Sequence, residues 1–120
     1  MHMIARNVVQ IPRLMQKDTH LSIASALELT GYNQNYSGIE TTQLAEALAA
    51  DKTLLDEWKE YSEDKRTTCG WYIEFTQNDF IVGYFESRRG STQKLHFTNP
   101  VDACAAFVKR EIENIRTAEK

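Results

Sequence analysis

The imidazole and thiol groups that a catalytic Cys/His pair would need are few in this chain. They are three histidines and two cysteines: His2, His20, His96, Cys69 and Cys104. Nucleophilic catalysis needs a thiol or hydroxyl within reach of a base. Cys69 precedes the first predicted strand and His96 lies in the third, which makes a Cys69/His96 site in a small enzyme conceivable. In a meander, however, the second strand usually separates the other two. Packing in the apolar stripe of a helix explains Cys104.

Sequence motifs of the common cofactor and metal sites are absent from the chain. No GxGxxG run, Walker-type phosphate loop, HExxH or paired CxxC occurs. Each of these spacings serves the geometry of its ligand. We therefore expect no catalytic, cofactor-binding or metal-binding residue, and no cofactor. The sequence favours a protein that acts by binding.

A small basic cluster lies in the predicted hairpin over residues 87–94. It comprises Arg88, Arg89 and Lys94, next to tyrosines of the predicted strands. Basic and aromatic side chains on a sheet can hold nucleic acid through phosphates and stacked bases. The chain as a whole carries 14 Lys and Arg against 17 Asp and Glu, a net charge of -3. A nucleic-acid-binding regulator that uses this hairpin is therefore an alternative, and a solvated loop is the simpler interpretation.

Five carboxylates share one side of the helix predicted from Thr53 to Arg66. At about 100° per residue they fall within an arc of roughly 120°, opposite an apolar stripe. They are Asp56, Glu57, Glu60, Glu63 and Asp64. Many such faces are only solvated. A negative patch would also suit a basic partner, because long-range attraction speeds the encounter.

The periodicity of apolar residues predicts helices in the first half of the chain and at its end. The predicted helices cover 18–30 with Asp18 or Thr19 as cap, 41–50, 53–66, and a last helix that begins at Asn99-Pro100. Residues 32–38 are polar and turn-forming, so they are expected to be a loop.

Between these helices the period changes to that of strands. Three strands are predicted near residues 70–76, 80–86 and 93–98. The expected fold class is α+β, with a three-stranded antiparallel β-meander packed against three or four α-helices. The side chains expected to be mainly buried are Trp58, Trp71, Phe75, Val82, Phe97, Phe107 and Ile112.

Length and composition are those of one compact domain over residues 1–120. The first 66 residues are predicted to be mainly helical, and within them residues 1–17 are expected to be a loosely ordered N-terminal segment. The mean hydropathy is -0.50, and no apolar run approaches the roughly 20 residues of a membrane helix. Two cysteines are too few for a disulfide framework, so a cytoplasmic location is expected.

Two stretches of the sequence resemble a known class of proteins. One is the run from Asp56 to Arg66 followed by Gly70-Trp71-Tyr72, and the other runs from Phe97 to Val108 with Glu111 after it. Both resemble bacterial immunity proteins of contact-dependent growth inhibition and related polymorphic toxin systems. This resemblance implies a cytoplasmic toxin inhibitor whose partner is the C-terminal domain of a cognate toxin, often a nuclease. Immunity proteins of this kind block the toxin's active site without catalysis of their own. The acidic helix face is then the predicted toxin-binding surface.

Overall fold

A computed structural model describes residues 2–64, 70–86 and 88–118. Within them the chain forms seven α-helices, one 3-10 turn and three strands. The helices are α1 (His2–Val9), α2 (Ile11–Lys17), α3 (Ile23–Leu29), α4 (Tyr32–Asn35), α5 (Thr41–Ala50), α6 (Thr53–Asp64) and α7 (Pro100–Ala118). The strands are β1 (Gly70–Phe75), β2 (Phe80–Glu86) and β3 (Gly90–Phe97), and the 3-10 turn is Tyr36–Gly38. The predicted α+β class is confirmed. The four longest helices, α1, α5, α6 and α7, are accompanied by three short ones.

The N-terminal segment is helical, which differs from the expected loose order. Apolar side chains at i, i+3 and i+6 place Ala5, Val8 and Ile11 in the core, each fully buried. Pro12 occupies the first turn of α2, where a missing backbone N–H costs no helical hydrogen bond. The indole Nε1 of Trp58 donates to the carbonyl of Val9 at 2.9 Å. The segment is therefore tied directly to α6.

Two boundaries in the first third of the chain differ from the sequence-based expectation. The third helix begins at Ile23 and is capped by Ser22, whose hydroxyl accepts from the backbone N–H of Ser25 at 3.1 Å. Asp18 instead accepts from the backbone N–H of His20 at 3.1 Å and stabilises a local turn. The expected loop over 32–38 consists of α4 and the 3-10 turn. It forms helix because Tyr32 is fully buried against the core.

The three strands form the predicted antiparallel meander in the order β1-β2-β3. Ile73 pairs with Val82, and Val82 with Leu95. The face that carries these residues packs against α7, and β1 also contacts α6. On the other face the ring of Tyr72 lies across Gly83. A Cβ at that glycine would come within 2.4 Å of the ring, so this close approach requires glycine.

The core is built around α7, and most of the expected core is confirmed. Trp58, Val82, Phe107 and Ile112 are fully buried. Three further aromatic residues are only half-buried: Trp71, Phe75 and Phe97. They flank the central Ile73–Val82 pair or lie on β3, at the margin of the area that the helices cover.

Cys104 also lies in this core and is fully buried. Burial raises the pKa of its thiol well above the ordinary value. The thiol therefore stays protonated at neutral pH and packs as a small apolar side chain.

Candidate functional site

All five predicted toxin-binding carboxylates lie on α6, and four of them reach solvent. Asp56, Glu60, Glu63 and Asp64 are exposed, whereas Glu57 is half-buried. The opposite side of α6 buries Leu54, Leu55 and Trp58. The wheel arithmetic therefore placed the acidic face correctly, since an amphipathic helix must turn its polar side outward.

Glu57 is held inside the molecule by Arg13 of α2. Arg13 Nε donates to Glu57 Oε2 at 2.8 Å, and the Glu57 side chain is only 17% exposed. The same guanidinium lies 3.0 Å from Asp51 Oδ2 and donates to Thr53 Oγ1 at 2.6 Å. Hydrogen bonds from Thr53 and then Arg13 lower the pKa of Asp51, and Asp51 and Glu57 raise the pKa of Arg13. Glu57 thus fixes α2 beside α6 and contributes little to the free acidic surface.

An open groove of about 340 Å³ runs between α2 and α6. Pro12, Met15 and Gln16 line its α2 side. Its α6 side is formed by Glu57, Glu60, Tyr61 and Asp64. The groove therefore combines apolar walls with a carboxylate rim. The sequence did not indicate this groove, because no separate helix was predicted over residues 11–17.

Tyr61 is held in the groove wall by contacts on its inner side. Its hydroxyl donates to Glu111 Oε2 of α7, and Glu111 is only 2% exposed. Burial and the neighbouring Glu111 charge raise the pKa of Tyr61 well above its ordinary value. The ring also packs edge-on against Trp58, with 5.4 Å between centroids. The Tyr61 side chain is therefore fixed in place before any partner binds.

Glu63 differs from the carboxylates at the groove. Its Oε1 lies 3.9 Å from the ammonium of Lys59, one turn earlier on α6. Both side chains are well exposed, so the pair is weak. In the part of the chain that the structure describes, Glu60 and Asp64 form no ion pair. Glu60 and Asp64 line the groove, whereas Asp56, which also forms no ion pair among the described residues, lies outside its lining.

The structure describes only one residue of the alternative Cys69/His96 site. Cys69 lies outside the described residues, so the Cys69/His96 pair stays a prediction. His96 is exposed, and its Nδ1 lies 2.5 Å from Asp79 Oδ2 in the β1–β2 turn. Among the described residues, no group of three or more His, Cys, Asp or Glu could hold a metal ion.

In the 87–94 hairpin, Arg88, Arg89 and Lys94 are exposed. Arg89 lies 3.9 Å from Glu86, which offsets part of the local positive charge.

A polar cluster that joins α4 to α7 was not predicted from the sequence. The Tyr32 hydroxyl donates to Glu113, and Arg116 donates to both oxygens of Glu113 at 2.9 Å. Lys109 Nζ donates to the Tyr32 hydroxyl at 2.8 Å and to the Ile39 carbonyl at 2.6 Å. The spacing of Lys109, Glu113 and Arg116 along one helix was the available signal. Their internal contacts give this cluster a structural role.

No protein-family model, curated protein or solved structure matches this chain. In the described residues, no helix is both long and apolar enough to cross a membrane. The α6 face and the groove beside it are therefore the features of this chain that bear on its function.

Proposed function

We propose that this chain is an immunity protein that binds the C-terminal domain of a cognate toxin and covers its active site without catalysis. The observation that carries the proposal is the placement of Asp56, Glu60, Glu63 and Asp64 on one exposed helix face. The resemblance of residues 54–115 to immunity proteins supports the same role.

The electrostatics of α6 fit a basic nuclease domain as the toxin. A nuclease presents a cationic cleft to phosphates, and an acidic helix can occupy that cleft in place of the nucleic acid. Attraction between opposite patches raises association rates well above the ordinary range of about 10⁵–10⁶ M⁻¹s⁻¹. A stoichiometric blocker needs about 1,000 Å² or more of complementary surface and no reactive group. The exposed α6 face and its adjoining groove would form part of such a surface.

The test is growth rescue together with complex formation. The toxin to test is the C-terminal domain of a large secreted protein, and the gene immediately upstream of the one for this chain is the first place to look for it. We expect co-expression of this chain to restore growth, and the two purified proteins to elute as a one-to-one complex. A folded chain that neither restores growth nor forms the complex would contradict the proposal.

A further inference from the structure

We propose that the α2–α6 groove seats one basic side chain of the toxin domain. Its aliphatic stem would lie against Met15 and Tyr61, and its cationic head between Glu60 and Asp64. This inference rests on the proposed function and goes beyond it, since it separates a binding groove from the rest of the acidic face. It also names the chemistry of the occupant: a lysine or arginine side chain projecting from a protein surface.

The lining of the groove matches both ends of such a side chain. Met15 and Tyr61 are half-buried and offer apolar surface, and a lysine or arginine stem buries its methylene groups on such surface. Glu60 and Asp64 are four residues apart, so both lie on the same side of α6. The Cβ atoms of residues at this spacing are about 5–6 Å apart. A cation between them would contact two carboxylates at once.

The groove is preorganised because hydrogen bonds to residues outside the groove, or between its two helices, hold both of its walls in place. The Arg13–Glu57 hydrogen bond of 2.8 Å fixes α2 against α6. The Tyr61–Glu111 hydrogen bond fixes the aromatic wall. A partner side chain therefore enters a formed site and does not have to order one, which lowers the entropic cost of binding.

Ion pairing distinguishes Glu60 and Asp64 of this groove from Glu63 on the outer edge of the same helix. Glu63 already lies beside Lys59, whereas Glu60 and Asp64 form no ion pair among the described residues. A cation seated in the groove gains both carboxylates without displacing a partner that lies within residues 2–64, 70–86 or 88–118. The same cation at Glu63 would compete with Lys59.

The test compares two double variants that remove equal charge from the same helix. The groove variant is Glu60→Gln with Asp64→Asn, and its matched control is Asp56→Asn with Glu63→Gln. With the toxin domain, we expect the groove variant to dissociate about tenfold faster or more, because it breaks a seated charge pair. The control should mainly slow association, by a few-fold. Exposed charges at the periphery of an interface affect the rate of encounter more than the rate of dissociation. Equal effects of the two variants on dissociation would overturn the groove.

A second measurement tests binding in the groove without the toxin domain. The probe is the peptide acetyl-Ala-Arg-Ala-Arg-Ala-amide, titrated into protein that carries ¹³C-methyl methionine. We expect the Met15 methyl resonance to shift, the shift to survive in the control variant, and the groove variant to lose it. Absence of the shift, or its persistence in the groove variant, would contradict the groove even if the chain neutralises the toxin. A Met15 shift in a chain that fails to bind the toxin domain would instead contradict the proposed function alone.

Discussion

At the scale of single residues, Glu113 shows how a partly buried polar contact makes stability depend on pH. Hydrogen bonds from Arg116, and to a lesser extent from Tyr32, lower its pKa below the usual value near 4.5. Its ionised form is therefore favoured in the folded state. The stabilisation is complete above the unfolded pKa and is lost as the pH falls through the folded pKa.

We expect Glu113→Gln to lower the free energy of unfolding at pH 7, because the amide keeps the shape of the carboxylate but not its charge. The gap to the wild-type protein should narrow as the pH falls below 4.5, because Glu113 is protonated first in the unfolded chain and then, at lower pH, in the folded chain. Urea unfolding at several pH values measures this gap. A gap that stays constant down to pH 3 would show that the carboxylate charge contributes nothing.

A second residue-scale prediction concerns the alternative enzyme site. Because the proposed role is occlusion, Cys69→Ser with His96→Gln should leave protection against the toxin unchanged. His96 contacts Asp79 on the exposed side of the sheet, and its loss should not disturb the core. Growth rescue by the double variant is the measurement. Loss of rescue in a variant that is folded and still binds the toxin domain would favour a catalytic role.

The helical pattern predicted which side of α6 carries the carboxylates. It did not predict which of them form ion pairs with other elements. The exposure of Asp56 and Glu60 follows from helical periodicity, which is local. The engagement of Glu57 depends on Arg13, 44 residues earlier in the chain. Such a contact exists only after α2 has packed on α6, so no local pattern indicates it.

At the scale of elements, Ser62 ties α6 to the edge of the sheet. Its hydroxyl accepts from the backbone N–H of Ile73 at 2.9 Å and lies 3.4 Å from the Ile73 carbonyl. Ser62 is 1% exposed and Ile73 is also 1% exposed. The hydroxyl therefore satisfies backbone groups of β1 that face away from β2.

We expect Ser62→Ala to destabilise the protein by about 1–3 kcal/mol, because it leaves a buried N–H without a partner. Ser62→Thr keeps the hydroxyl and serves as the comparison for the loss of the hydrogen bond. Chemical unfolding gives the free energies. An alanine variant as stable as the wild type would show that the hydroxyl does not join the helix to the strand.

Elements with strong periodicity were predictable, and those made by tertiary contact were not. The predicted helix at 41–50 and the start of the last helix at Pro100 are confirmed, the latter with Asn99 Oδ1 accepting from the Val101 N–H at 2.8 Å. The short helices α2 and α4 were missed. Each has fewer than eight residues, too short to be stable alone, and each forms because its apolar residues are buried by other elements.

At the scale of the whole molecule, α7 lies at the centre of the core, with the sheet packed on it and other helices, including α5, packed against it as well. This arrangement followed from the order of helical and strand periods along the sequence. The groove did not, because it requires the relative position of α2 and α6. Under the proposed function, the acidic side of α6 is the surface on which a basic toxin domain docks.

The most direct test of that claim is the association rate with the toxin domain, measured across salt concentrations. The variant carries Asp56→Ala, Glu60→Ala and Glu63→Ala, and the matched control carries Glu28→Ala, Glu46→Ala and Asp102→Ala, three exposed acids on other helices. We predict that at low salt the α6 variant associates roughly tenfold more slowly than the control, because it loses electrostatic steering. The difference should shrink as salt screens the charges. Equal rates and affinities for the two folded variants at low salt would contradict the docking of the toxin on α6.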